Sequence, residues 1–288
     1  MVSTPAFDPE LDQSGNDSGD SIYFNNFLQG AMTPGSTFKL VTAASALESG
    51  VDVDSFRFTC DGKNRYNKDD ITCTSAHGTV NFRQALAVSC NGAFGKLARE
   101  VGAANLSTTT QKVGLTNSVD ADGIKTQAGS FTFPEDNEVN LSWAGIGQYD
   151  DQVNPCAMMV YMGAIANGGE PVQPKLMKSS SFLSAGKSGK SLGEYISSET
   201  ADELRSMMKN NVKVTYGESN FYGLDLYAKS GTAETGSGED GWFVGFIDNE
   251  DYPLAFVVWI KNGGTGYASA GPVAKDVLNR IISNNDSE

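Results

Sequence analysis

A serine hydroxyl becomes a working nucleophile when a base can take its proton, and Ser36-Thr37-Phe38-Lys39 sets a hydroxyl and an amine three positions apart. Leu40, Val41, Ala44 and Leu47 follow with the spacing of one apolar helix face, and Pro34-Gly35 breaks the chain just before them. The spacing predicts a helix on which positions i and i+3 share a face. Ser36 would then stand at its N-terminal end, where unpaired N–H groups and the dipole favour developing negative charge. The bland alternative is a serine N-cap followed by a solvated lysine. Ser184-Ala185-Gly186-Lys187 repeats the spacing within a Gly/Ser/Lys-rich stretch, 178–191, that reads as a loop.

Two further groups separate these readings. Ser89-Cys90-Asn91 lies between short apolar helical runs at 82–88 and 93–101, so a polar pair is expected on a turn between helices. Lys229-Ser230-Gly231-Thr232 precedes two strand-like runs, 241–247 and 253–260, joined through the turn-rich Asp248-Asn249-Glu250-Asp251, and Lys229 is expected on or beside a strand. Each pattern is common alone: Ser14-Gly15-Asn16 and Ser283-Asn284-Asn285 also match Ser-x-Asn, and Lys187-Ser188-Gly189 also matches Lys-Ser-Gly. The only histidine is His77, with no Gly-x-Ser-x-Gly elbow to accompany it, so a lysine base is preferred to a Ser-His-Asp triad.

In this order and these settings the three motifs form the signature of penicillin-binding proteins and serine β-lactamases. The chain most resembles the transpeptidase domain of class B penicillin-binding proteins, over nearly its whole length. Residues 2–9 resemble the segment leading into that domain and residues 25–38 the approach to its active serine. Gly145-Ile146-Gly147-Gln148, Asn154-Pro155, Ala166-Asn167-Gly168-Gly169 and Gly241-Trp242-Phe243-Val244-Gly245-Phe246 match later parts. The resemblance implies an α/β fold of α+β type, with a central, mainly antiparallel sheet flanked by helices, a mainly helical lobe, and the active site in the cleft between them. The helical lobe is expected at roughly 40–170 and the sheet lobe from 1–39 and 171–288. The C-terminal helix would cover the sheet, with Pro272 in its first turn and Val273, Val277, Leu278 and Ile281 as its apolar stripe.

What the resemblance implies for chemistry is specific. Ser36 would attack the carbonyl between two terminal D-alanines of a peptidoglycan stem peptide, and Lys39 would take its proton, its pKa lowered by burial beside Lys229 and by the helix N-terminus. Ser89 would relay a proton to the leaving amine, and Asn91 would hold Lys39 and bind the substrate amide. Backbone N–H groups of Ser36 and Thr232 would form the oxyanion hole. Lys229, Ser230, Gly231 and Thr232 would bind the terminal carboxylate. β-Lactams would acylate Ser36 and leave slowly. A serine β-lactamase and a β-lactam sensor domain share these motifs, but no acidic residue in an assignable family motif stands ready to activate a deacylating water. Class B proteins carry a membrane anchor and a pedestal domain ahead of the transpeptidase, which would place the full-length protein on the outer face of the cytoplasmic membrane, with a peptidoglycan glycosyltransferase as partner.

Composition sets limits. The 288 residues are 39% hydrophobic, ordinary for a globular protein, and the net charge of −14 argues against nucleic acid and anionic membrane surfaces. The acidic tract at 8–20 reads as solvated loop, and no apolar run reaches the length of a membrane span. Four cysteines are too few for a disulfide scaffold. Cys90 and Cys156 fall in apolar helical settings and read as small core residues. Cys60 and Cys73 bracket a polar excursion, 61–70, that could be a hairpin. A disulfide between them or two thiols is preferred, and zinc held by Cys60, Cys73 and His77 with a nearby Asp is the alternative; the expected chemistry needs no other cofactor. Trp242 and Phe243 read as core, and Tyr149 as a residue that could line the cleft.

Overall fold

Apolar residues on every side of one helix and on both faces of one strand mark the centre of the molecule. The computed structural model describes residues 1–5, 23–66, 69–176, 189–249 and 251–285. In chain order, α1 (Asn26–Gln29) and a 3₁₀ turn at Gly35–Phe38 lead into the central helix α2 (Lys39–Glu48). Strands β1 (Arg57–Cys60), β2 (Lys63–Tyr66), β3 (Asp69–Thr72) and β4 (Gly78–Asn81) make two small antiparallel pairs, β1 with β4 and β2 with β3. Helices α3 (Phe82–Ala87), α4 (Asn91–Val101) and α5 (Ala103–Lys112), the two-residue strands β5 (Asp120–Ala121) and β6 (Ile124–Lys125), and helices α6 (Glu138–Ala144), α7 (Pro155–Ala166) and α8 (Ser198–Asn211) complete the helical part. The main sheet comes last: β7 (Leu226–Thr235), β8 (Gly238–Ile247) and β9 (Leu254–Ile260) in the order β7-β8-β9, all antiparallel, followed by α9 (Gly266–Asn285).

Alternation along β8 builds both halves of the core. Trp242, Val244 and Phe246 join α2, α7 and α8, while Phe243 and Ile247 face α9. Burying this strand on both sides is what makes its sequence read as a continuous apolar run. The expected stripe on α2 is broader than its spacing suggests: Leu40 through Ala46 are all buried, so α2 is a core helix and not an amphipathic one.

The C-terminal helix departs from expectation in two ways. It starts at Gly266, so Pro272 lies inside it and not in its first turn. Its buried stripe is Ala270, Ala274 and Leu278, whereas Val273, Val277 and Ile281 are 43%, 50% and 37% exposed. Both stripes have helical spacing. The small alanines win because they let the helix axis close onto Phe243 and the sheet, where valines would hold it off.

Of excursion 61–70, the described residues pair as β2 with β3, antiparallel, with Lys63 opposite Thr72. Within 1–39, no strand joins the main sheet among the described residues. The tract 8–20, most of the expected N-terminal strand region, the Ser184–Lys187 spacing and Glu250 lie outside the described residues. No helix among the described residues is long and apolar enough to cross a membrane.

Candidate active site

Ser36 sits in the 3₁₀ turn, and α2 begins at Lys39. Because a 3₁₀ helix has three residues per turn, positions i and i+3 eclipse, which draws the two side chains closer than an α-helix would. Lys39 Nζ lies 3.0 Å from Ser36 Oγ, and Lys39 is wholly buried, which excludes a solvated first-turn lysine. The turn is held by its neighbours. Gly35 adopts φ +53°, and its N–H donates to the Gly147 carbonyl at 2.8 Å. A Cβ at Gly231 would fall 2.8 Å from Thr37 Cγ2, so only glycine lets β7 pack this closely on the turn.

Ser89 and Asn91 enter from the junction of α3 and α4. An Asn81 capping box starts α3, and Ser89 takes φ +54° to turn the chain before α4. Lys39 Nζ meets Ser89 O at 2.6 Å, Ser89 Oγ at 3.1 Å and Asn91 Oδ1 at 2.7 Å. The Asn91 amide donates to Thr72 O at 2.7 Å, which orients its oxygen toward the lysine. From β7, Lys229 Nζ donates to Ser89 Oγ at 3.0 Å and to Ser230 O at 2.7 Å. Ser89 Oγ therefore bridges two buried lysines.

Counting donors decides what Lys39 can do. Ser89 O and Asn91 Oδ1 can only accept, so two N–H groups are committed to them. A neutral amine has two N–H groups and one lone pair, and the lone pair is then left for the hydroxyls of Ser36 and Ser89. Burial lowers the Lys39 pKa from 10.5 to about 8, against an opposing pull from Cys73 and Cys90. Lys229 is pushed well below its ordinary range by burial and then by the charge of Lys39. The expected cause is thus reordered, since desolvation dominates at both lysines and their mutual repulsion is felt at Lys229.

A family match is carried by the same stretch of chain: the penicillin binding protein transpeptidase domain matches residues 1–282. The chain belongs to this family. The peptidoglycan D,D-transpeptidase PbpA of Mycolicibacterium smegmatis is 27% identical over 311 residues, covering 96% of this chain and 63% of that protein. The chain thus spans a little under two thirds of that relative's length. The crystal structure of the D,D-transpeptidase domain of a peptidoglycan glycosyltransferase from Eggerthella lenta superposes with a TM-score of 0.85 at 26% identity, covering 99% of this chain and 74% of that one. Penicillin-binding protein A from M. tuberculosis, solved as a penicillin G acyl-enzyme complex, gives a TM-score of 0.82 at 25% identity, with 98% and 71% covered.

In this penicillin-binding-protein transpeptidase domain the remaining motif residues are placed by the alternation of β7. Leu226 and Ala228 face α9, and Lys229 turns to the opposite face, toward Ser89. Ser230 and Thr232 share the α9 face, so their hydroxyls do not join the Ser36 network. Ser230 Oγ accepts from Tyr216 Oη at 3.0 Å, and Thr232 Oγ1 accepts from Gly266 N–H at 3.3 Å. The Thr232 carbonyl lies against Gly35, 2.5 Å from where a Cβ would stand, which sets the β7 backbone beside that of Ser36.

Several supporting residues carry no motif. Tyr216, in a π-helical segment at Val212–Gly217, accepts from Ser230 N–H at 2.7 Å and is pushed up to about 12 by burial. Asn154 caps α7 and donates to Phe27 O, Leu28 O and Gly30 O, tying the approach to Ser36 onto α7. Trp242 Nε1 donates to Thr33 O at 3.0 Å. The tryptophan was legible as core, but its hydrogen bond to a segment 209 residues away was not. Tyr149, 42% exposed at φ +67°, follows the Gly147 turn.

None of the four cysteines is in a disulfide. Cys90, expected as a plain core residue, is buried with its sulfur 3.8 Å from Cys73 Sγ. The sequence missed this because Cys90 stands in an apolar helical context and only the fold brings it to the 57–81 strands.

Proposed function

We propose that this chain is the catalytic domain of a longer serine D,D-transpeptidase that cross-links peptidoglycan stem peptides and is acylated by β-lactams. The observation carrying this reading is the hydrogen-bonded series Ser36–Lys39–Ser89–Lys229, in which the Nζ of a buried lysine of lowered pKa lies 3.0 Å from the Ser36 hydroxyl. Ser36 Oγ attacks the penultimate D-alanine carbonyl while its proton passes to Lys39 Nζ. The oxyanion is met by the N–H groups of Ser36 and Thr232 on the adjacent turn and strand. The peptide C–N bond then breaks, and the leaving amine takes a proton from Ser89 Oγ, which is replenished from Lys39. An amine from a second stem peptide attacks the acyl-enzyme by the reverse proton path, forming the cross-link and restoring Ser36.

Lys229 supplies the positive charge for the terminal carboxylate, and the close approach allowed by Gly231 shapes that end of the site. The longer protein would hold this domain outside the cytoplasmic membrane on an anchor and pedestal, beside a glycosyltransferase that supplies glycan strands. Intact-protein mass spectrometry after incubation with benzylpenicillin tests the reading. A single adduct that persists for hours and is lost in Ser36→Ala is expected. Free penicilloate accumulating as the adduct vanishes would instead mean a β-lactamase, and no adduct at all would remove Ser36 as nucleophile.

A further inference from the structure

The residue between Ser89 and Asn91 belongs to a second constellation. Cys60, Cys73, His77 and Cys90 each present a donor atom, and all four donors lie within 4.8 Å of one another. In sequence they read Cys60-x12-Cys73-x3-His77-x12-Cys90. Pairing of β1 with β4 sets Cys60 opposite Gly78 and so beside His77, Cys73 follows β3, and Cys90 is the N-cap of α4. We infer that these four side chains form a tetrahedral zinc site that fixes the Ser89-Cys90-Asn91 turn from behind.

The distances match that geometry. A tetrahedron with Zn–S of about 2.3 Å and Zn–N of about 2.0–2.1 Å has S···S edges of about 3.8 Å and S···N edges of about 3.5 Å. Cys73 Sγ and Cys90 Sγ are 3.8 Å apart, and Cys60 Sγ and His77 Nδ1 are 3.5 Å apart. Three thiols and an imidazole make a donor set suited to zinc, and four protein ligands leave no open position, as in a structural site. Binding releases the three thiol protons to solvent and leaves one net negative charge on the centre. The start of α4 meets that charge: the N–H groups of Asn91 and Gly92 donate to Cys73 sulfur, and Ala93 N–H donates to Cys90 Sγ at 3.4 Å.

The link to the catalytic turn is covalent. Cys90 is flanked by Ser89 and Asn91, which both hold Lys39, and Cys73 follows Thr72, whose carbonyl receives the Asn91 amide. One ion would therefore anchor both sides of the Asn91 contact, which two thiols at van der Waals distance do not do.

The test is metal content by plasma mass spectrometry on protein purified without chelator, followed by zinc removal and cobalt(II) substitution. One zinc per chain is expected, with cobalt giving the intense visible absorption of a tetrahedral thiolate centre. Cys60→Ser and His77→Gln should lose both signals, and Cys156→Ser should keep them. Stripping zinc should slow benzylpenicillin acylation at least tenfold, and adding it back should restore the rate. Metal-free protein, a weak octahedral cobalt spectrum, or a non-reduced mass two hydrogens lighter with a Cys73–Cys90 peptide would overturn the site. Zinc binding with an unchanged acylation rate would overturn its role at the turn. Stoichiometry and spectrum do not depend on acylation, so they stand apart from the transpeptidase reading.

Discussion

Raising the pH through the ionisation of Lys39 should switch on acylation, and the curve has a shape set by burial. With a pKa of about 8, the amine is neutral in about a tenth of molecules at pH 7, half at pH 8 and about nine-tenths at pH 9. If neutral Lys39 is the base, the second-order rate constant for acylation by a fluorescent penicillin rises about fivefold from pH 7 to 8, less than twofold from 8 to 9, and then levels. An unperturbed lysine at about 10.5 would instead give about a tenfold rise per unit up to pH 10. Stability carries the same signature. Between pH 8 and 10.5 the unfolded chain still binds the Lys39 proton while the folded state has lost it, so folding becomes more favourable as pH rises through that window. The full increment is about 3 kcal/mol. Comparing the wild type with Lys39→Met by urea denaturation at pH 7.5 and pH 10.5 reads it together with the relief of Lys229 from the charge of Lys39. A rate profile that is flat, or that climbs log-linearly to pH 10, would refute the neutral-lysine mechanism, as would a stability gap that does not change with pH.

Ser89→Ala removes the hydroxyl between the two lysines and should lower the acylation constant by about 10²–10⁴ and, by taking a buried acceptor from both amines, cost about 1–3 kcal/mol in stability; stopped-flow acylation and calorimetry check both. Tyr216→Phe deletes both hydrogen bonds to Ser230 and should cost about 1–3 kcal/mol in stability. It should also weaken binding of carboxylate-bearing β-lactams more than it slows the chemical step, which saturation kinetics separate. Gly147→Ala places a Cβ against the Gly35 carbonyl at φ +79°, so it should destabilise the fold by about 2 kcal/mol or more and impair acylation; an unaltered denaturation midpoint would mean that the turn can shift freely. Asp151 is fully buried and its pKa is raised well above 3.8, chiefly by desolvation. The folded state thus holds a proton that the unfolded chain releases, and stability falls as pH climbs above 3.8. Asp151→Asn should raise the melting temperature more at pH 7 than at pH 4, and an equal shift at both would show that the carboxyl is already ionised.

Much of the site was readable because its parts are local. Pro34-Gly35 and the apolar run after it located the turn and the helix start, the two short helical runs bracketed Ser89-Cys90-Asn91, and unbroken apolar stretches marked β8 and β9 around Lys229. Errors arose where two local patterns were equally good. The two stripes of α9 have the same period, and only the distance of closest approach to Phe243 selects the alanines. The 3₁₀ turn at Ser36 is a matter of how Gly35, Gly147 and Gly231 pack together, and three residues so far apart leave no joint signal in the chain.

By itself, then, the sequence determined which groups could react and on which kind of element each would sit, since side-chain chemistry, periodicity and turn residues are properties of neighbours in the chain. Tertiary structure alone decided that Lys39 is buried, that Ser89 links it to Lys229, that Tyr216 and Thr72 hold Ser230 and Asn91, and that Cys90 meets Cys60, Cys73 and His77. The reason is physical: desolvation, the origin of the shifted lysine pKa values, depends on the whole set of atoms packed around a charge, and those atoms come from α2, α4 and β7, segments far apart in sequence.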